Sequence, residues 1–259
     1  MNKICKNGFI PAKDVRYAGT FSNVRKIAFT LAEVLVTLAI IGVVSAMTVP
    51  TLMQNHQRKT YVTQLHKVYN ELSQALIQYQ NDKNAVNLFE AGLNRTTDSN
   101  YNFIKSYFKI TADCGDDFTP CMAESYKKLD GTIIKSLSTV TGGSHKCVTV
   151  ASGASICVYK GIGNILIQIA ADINGQKGPN IAGRDLFIMY VYNNGVIDDL
   201  VTKCNNDNTN CGVWDGTASS PTSEQREEMF EIACKEGSTK VNYHGCFGKI
   251  LNDNWEMTY

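Results

Sequence analysis

From Val34 to Met53 twenty consecutive residues carry no charge. At 1.5 Å per residue a helix over this run is about 30 Å long, the thickness of a bilayer's hydrocarbon core. After Met53 the pattern changes rather than stops. Tyr61, Val62, Leu65, Val68, Tyr69, Leu72, Ala75, Leu76 and Tyr79 recur at spacings of three and four, the single apolar stripe of an amphipathic helix. Neither glycine nor proline occurs between Pro50 and Asp82. The spacing therefore predicts one helix from about Thr30 to Asn81, roughly 78 Å long. Its first half is apolar all round and needs lipid or other helices; its second half needs a globular domain to cover one face. His56 and His66 lie on this helix, ten residues apart, and read as solvent-facing polar positions.

Residues 84–130 read as irregular chain with short helices, one over Asn100–Phe108 behind Ser99 as N-cap. From Lys146 onward the pattern is that of strands. KCVTVASG, ASICVYKG, NILIQIAADING, RDLFIMYVYNNG and VIDDLV are short apolar runs punctuated by glycine or asparagine. Asn194-Gly195 between two of them is a hairpin turn pair. About four strands in an antiparallel meander would cover the apolar face of the long helix. Glu224–Lys235, after Pro221 and Thr222, predicts a last helix, and CFGKILNDNWEMTY an extended tail tied down by Trp255 and Tyr259. The Asn-rich stretch Cys204–Cys211 reads as a surface loop.

Charge changes the picture at the N-terminus. The whole chain is near neutral, with 25 basic and 24 acidic residues, and has no basic excess that would point to nucleic acid. Its 44% hydrophobic and 19% charged residues exclude collagen, a coiled-coil rod, a multi-span membrane protein and a disordered chain. Residues 1–28, however, hold Lys3, Lys6, Lys13, Arg16, Arg25 and Lys26 against Asp14 alone. A basic flank before an apolar helix stays on the cytoplasmic side, which sends the remaining chain outward. Glu33 interrupts this logic. A carboxylate at the mouth of the apolar run costs up to about 2.5–3.5 kcal/mol, less near the interface. It is either a flanking interfacial acid or the partner of a positive charge inside the membrane.

The stretch KIA–FTLAEVLVTLAIIGVV resembles the prepilin-type cleavage and methylation segment of type IV pilins and type II secretion pseudopilins. In that family a basic leader is cut before a phenylalanine whose new amine is methylated, and a glutamate stands fifth in the mature chain. Counting from Phe29, Glu33 is fifth, and Pro50 is twenty-second, where such helices commonly carry proline. The residue before the cut, usually glycine, is here Ala28, small enough for the same protease subsite. The resemblance implies an α+β fold: a pilin-like lollipop, with a long N-terminal helix packed on a small antiparallel, disulfide-bearing domain. It divides the chain into a removed leader (1–28), a transmembrane and assembly helix (29–53), its amphipathic continuation (54–82) and an exported domain (83–259). It implies a single-pass protein of the cytoplasmic (inner) membrane whose domain reaches the periplasm or cell surface. It also implies four partners: a prepilin peptidase and methyltransferase, other pilin or pseudopilin copies, an inner-membrane assembly machinery and membrane lipid. The physical roles follow. The Phe29 amine of one subunit and Glu33 of a neighbour would offset each other's desolvation and fix axial register. Gly42, Ser45 and Ala46 would permit close helix approach, and Pro50 removes one backbone hydrogen bond.

Loss of residues 1–28 leaves 19 basic and 23 acidic residues, a charge of −4, and removes Cys5, so nine cysteines become eight. Cys114 and Cys121, Cys147 and Cys157, Cys204 and Cys211, and Cys234 and Cys246 are neighbouring couples, with six, nine, six and eleven residues between partners. In an exported domain this favours four local disulfides out of 105 possible pairings. Zinc would need closer Cys-x-x-Cys pairs. Asp172-Ile173-Asn174-Gly175 with Gly183-Arg184-Asp185 carries residue types of a calcium loop, Asp172, Asn174 and Asp185 being the ligands to test. A glycine-rich turn with Asx bonds needs the same residues and is the favoured reading; no other cofactor is implied.

Catalytic signatures such as Gly-x-Ser-x-Gly, a phosphate loop or His-Glu-x-x-His do not occur. His145 and His244 stand near Cys147 and Cys246, but oxidised cysteines cannot act as thiolates. The expectation is a structural, non-enzymatic filament subunit without nucleic-acid partners. Two alternatives stand beside it: a membrane-tethered adhesin or binding module, and a secreted domain released by signal peptidase after Ala46.

Overall fold

A computed structural model describes residues 29–134, 137, 144–200, 219–235 and 244–259. The fold is α+β: a 52-residue helix, α1 (Leu31–Asp82), precedes a domain built on antiparallel sheet. Two units meet between Val49 and Pro50. In the first, every described residue is exposed, including Leu31, Val34, Leu35, Leu38, Ile40, Ile41, Val43, Val44 and Met47. Among the described residues α1 is the one helix long and apolar enough to cross a membrane.

The second unit begins with the rest of α1. Val62, Leu65, Val68, Leu72, Ala75 and Leu76 are its buried residues, the stripe that the spacing of three and four predicts. The chain continues through α2 (Thr97–Tyr107), β1 (Ile110–Gly115), β2 (Tyr126–Lys127), β3 (Ile133–Ile134), β4 (His145–Val150), β5 (Ser155–Lys160), β6 (Ile165–Asp172), β7 (Leu186–Tyr192) and β8 (Ile197–Asp198). β4 to β8 form an antiparallel meander of five strands where the sequence pattern predicts about four, and β1 adds a sixth beside β4, giving the order β1-β4-β5-β6-β7-β8. All its pairings are antiparallel. β2 and β3 make a separate two-stranded hairpin.

Both faces of the main sheet are covered, which is why β7 is apolar and buried at all seven positions. Val148, Val150, Ile156, Val158, Ile167, Ile169, Phe187, Met189 and Val191 share one core with the stripe of α1. On the opposite face Tyr159, Ile188, Tyr190 and Tyr192 pack in a second core with Met122, Tyr126 and Ile134. Each large apolar side chain buried in this way contributes about 1.5–3 kcal/mol.

Three local expectations change. The meander has a sixth, edge strand, because β1 is only partly buried and carries no apolar run. The N-cap of α2 is Thr96, whose hydroxyl accepts the Ser99 N–H at 3.2 Å, not Ser99 itself. Buried Asn100 on α2 donates its amide to the carbonyls of Tyr159 and Leu166, tying the helix to the sheet. The C-terminal stretch is not wholly extended. After α3 (Ser223–Met229), which Thr222 and Gln225 open with a capping box, a π-helical turn runs over Phe230–Cys234. A further helix, α4, then spans Cys246–Asn252. It begins at Gly245, whose φ of +85° and contact with the Met229 carbonyl leave no room for a Cβ. Beyond it Trp255 packs on His66 and Tyr69, with ring centroids 4.1 and 5.0 Å away, and Tyr259 Oη donates to the Gly183 carbonyl at 3.0 Å. His66, exposed at its edge, is therefore also a stacking platform.

Candidate assembly segment

Of the residues that the resemblance assigns to processing and assembly, Phe29 and Glu33 sit at the start of α1. Ala28 lies outside the described residues, and Phe29 is exposed at 79%. The helix opens with reciprocal hydrogen bonds. Thr30 donates its N–H and its hydroxyl to Glu33 Oε2, each at 2.9 Å, and the Glu33 N–H donates to Thr30 Oγ1 at 3.2 Å. This is a capping box, Thr-x-x-Glu, and it satisfies N–H groups at the helix start that have no partner within the helix. The carboxylate also lies where the helix dipole favours negative charge. Glu33 is thus held one turn from Phe29 by its own chain. Sequence reasoning passed over Thr30, although the spacing of a threonine three residues before a glutamate is readable.

Further along, Thr37 Oγ1 and Thr48 Oγ1 donate to the carbonyls of Val34 and Val44 at 2.9 and 3.0 Å. These hydroxyls need no water. A Cβ built on Gly42 would meet nothing within 4 Å, so nothing in the described chain requires glycine there. Pro50 lies inside the helix and offers no N–H to the carbonyl four residues before it.

Residues 25–49 match the model of the prokaryotic N-terminal methylation motif. The chain carries a prepilin-type cleavage and methylation segment. Ala28, Phe29, Glu33 and Gly42 fall inside the motif and Pro50 directly after it. No curated protein and no solved structure matches the chain, so the likeness rests on the methylation segment.

In the domain, Cys114–Cys121, Cys147–Cys157 and Cys234–Cys246 are disulfides. Cys147 and Cys157 face each other directly across β4 and β5. Cys204 and Cys211 lie outside the described residues. Asp172 and Asp185 come together, buried, with Asn174 beside them. Asp172 Oδ2 accepts the Tyr126 hydroxyl at 2.6 Å and its Oδ1 the Asn174 N–H at 3.1 Å. Asp185 accepts the N–H groups of Asn180 and Ile181 at 2.7 and 2.6 Å. All four carboxylate oxygens thus have protein donors, the bonding of an Asx-organised turn. Among the described residues no group of three or more His, Cys, Asp or Glu side chains could hold a metal ion. Burial pushes the Asp172 carboxyl up to about 7, the Asp185 charge adding to the effect.

A further buried carboxylate, not anticipated from sequence, organises the C-terminal end. Asp199 accepts the N–H groups of Gly245 and Gly248, each at 2.8 Å, and so caps α4 from 46 residues away. Beside it Asp198 pairs with Arg226, Nε donating to Oδ1 at 2.9 Å. His244 is buried against Tyr190, whose hydroxyl lies 2.8 Å from Nδ1. These groups lock structure together.

Proposed function

We propose that the chain is a structural subunit of a filament of the type IV pilus or type II secretion pseudopilus class. It is cut before Phe29 by a prepilin peptidase and polymerised through its N-terminal helix. One observation carries the reading: the half-helix bearing the methylation motif exposes apolar side chains on every face. In water such a surface is untenable. A bilayer covers it before assembly, and neighbouring helices cover it afterwards. The basic leader favours a cytoplasmic N-terminus, and the disulfides favour an exported, oxidising location for the domain.

In the assembled state the amine of Phe29 pairs with Glu33 of a neighbour, each removing the other's cost of leaving water. Gly42 gives room for a neighbouring helix. The role is mechanical, and the domain supplies the surface of the fibre.

Mass spectrometry of the mature N-terminus tests this reading. N-methyl-Phe29 is the expected terminus. A chain beginning at Met47 would identify signal-peptidase release, and an uncut chain would identify a tethered binding module; either overturns the proposal.

A further inference from the structure

A cleft of about 370 Å³ opens between α1 and the loop that follows β6. On one side are Gln54, Gln57, Arg58 and Tyr61, spaced to share one face of the helix; on the other are Pro179, Ile181 and Arg184. Two guanidinium groups and two amides line it, and no carboxylate does. Arg58 takes part in none of the ion pairs found among the described residues. The nearest acid on the loop, Asp185, has both oxygens engaged by the N–H groups of Asn180 and Ile181. That buried carboxylate is still felt at Tyr61 in the lining, but two guanidinium groups against one acid leave the cleft net positive, and the guanidinium fork matches phosphate oxygens.

The place of the cleft along the chain selects the source of that phosphate. Gln54 directly follows the apolar run that ends at Met53. Arg58 lies five residues past Met53, about 7.5 Å along the axis. A bilayer's polar layer is roughly 5–8 Å thick on each side of its hydrocarbon. We infer that this cleft binds the phosphate of an anionic phospholipid headgroup, holding the unassembled subunit at a fixed depth. The inference rests on the reading of residues 29–53 as membrane-spanning.

Native mass spectrometry of the full chain in detergent, offered palmitoyl-oleoyl phosphatidylglycerol or phosphatidylcholine, reads the site directly. The wild type is expected to retain phosphatidylglycerol in preference to phosphatidylcholine. Arg58→Gln should lower that retention about tenfold, the effect of losing hydrogen bonds to a charged group. Lys59→Gln removes the same charge at the same depth but does not line the cleft, and should leave retention unchanged. Undiminished retention by Arg58→Gln, or equal loss in both variants, overturns the site. Displacement of the lipid by inorganic phosphate at equal concentration overturns the lipid source. Flotation of the wild type with vesicles is a separate readout: failure there overturns the membrane reading of residues 29–53 itself.

Discussion

Glu33 and Thr30 hold each other at the first turn of α1 through three hydrogen bonds of 2.9, 2.9 and 3.2 Å. The same carboxylate that the assembly reading assigns to a neighbour's amine thus already has a partner in its own chain. Thr30→Val removes that partner while keeping shape. The expected result is faster amide exchange at residues 31–34 in micelles, measured by NMR, with Thr30→Ser restoring protection. Unchanged exchange in Thr30→Val would show that the capping box does not hold the helix start.

Glu33 itself separates insertion from assembly. Glu33→Ala deletes one charge at the mouth of an otherwise uncharged run, so membrane insertion should persist or improve. Incorporation into filaments should be lost, because the neighbour's amine then enters an apolar bundle unpaired. Shearing and immunoblotting of the filament fraction measure this, and normal filaments from the variant would refute the role.

At the far end of the chain Asp199 makes a sharper stability claim. Its buried carboxylate accepts from Gly245 and Gly248, so Asp199→Ala leaves two buried N–H groups without their acceptor. A cost of about 2–4 kcal/mol is expected in urea melts of the domain. Lys105→Ala breaks a half-exposed pair with Asp113 and should cost under about 1 kcal/mol. Equal effects from the two variants would contradict the burial argument.

What is legible in the sequence follows from how local the cause is. The stripe from Val62 to Leu76, the runs of β6 and β7 and the pairing of neighbouring cysteines are periodic or adjacent, and pattern suffices for them. Tyr126 and Met122, which cover the second face of the sheet, stand in a stretch with no period to read. The edge strand β1 is only half-buried. The short helix α4 takes its capping acceptor from Asp199, and no local signal announces a cap supplied from so far away. At the assembly segment, Phe29, Glu33 and Pro50 are legible as fixed offsets, and Thr30 is legible as the first residue of a Thr-x-x-Glu pattern.

Reduction tests the disulfides as a group. The three bonds close loops with separations of 7, 10 and 12 residues. Loops of this size constrain the unfolded chain by around 2–3 kcal/mol each. Dithiothreitol in denaturant, followed by thermal melting of the alkylated domain, should lower Tm by well over 10 °C or abolish cooperative unfolding. An unchanged Tm would mean that these bonds add nothing to the stability of the native domain.

The pH dependence of stability has a sign that burial dictates. Burial raises the carboxyl of Asp172 to about 7 and that of Asp199 to about 6, and raises Asp185 as well. Each of these acids binds its proton more tightly in the folded state than in the unfolded chain, where the value is near 3.9. The stabilisation they give is complete below the unfolded value and is lost as pH rises through the folded one. His244 works in the opposite direction: burial lowers it to about 4, so its contribution is present above about 6.5 and is lost as pH falls toward 4. Between about pH 4 and 6 Asp172 and Asp199 outnumber the histidine, and above pH 6 Asp172 carries most of what remains. Stability should therefore fall as pH rises from about 4 to 7, by up to ~1.4 kcal/mol per pH unit for each net proton. Urea midpoints at pH 4.5, 5.5, 6.5 and 7.5 measure the slope. Asp172→Asn should flatten it above pH 6, whereas His244→Gln should steepen it below. A midpoint that climbs steadily from pH 4.5 to 7.5 would show that the buried carboxylates are paid for by their hydrogen bonds, with the Tyr126 hydroxyl and the Asn174 N–H outweighing desolvation at Asp172.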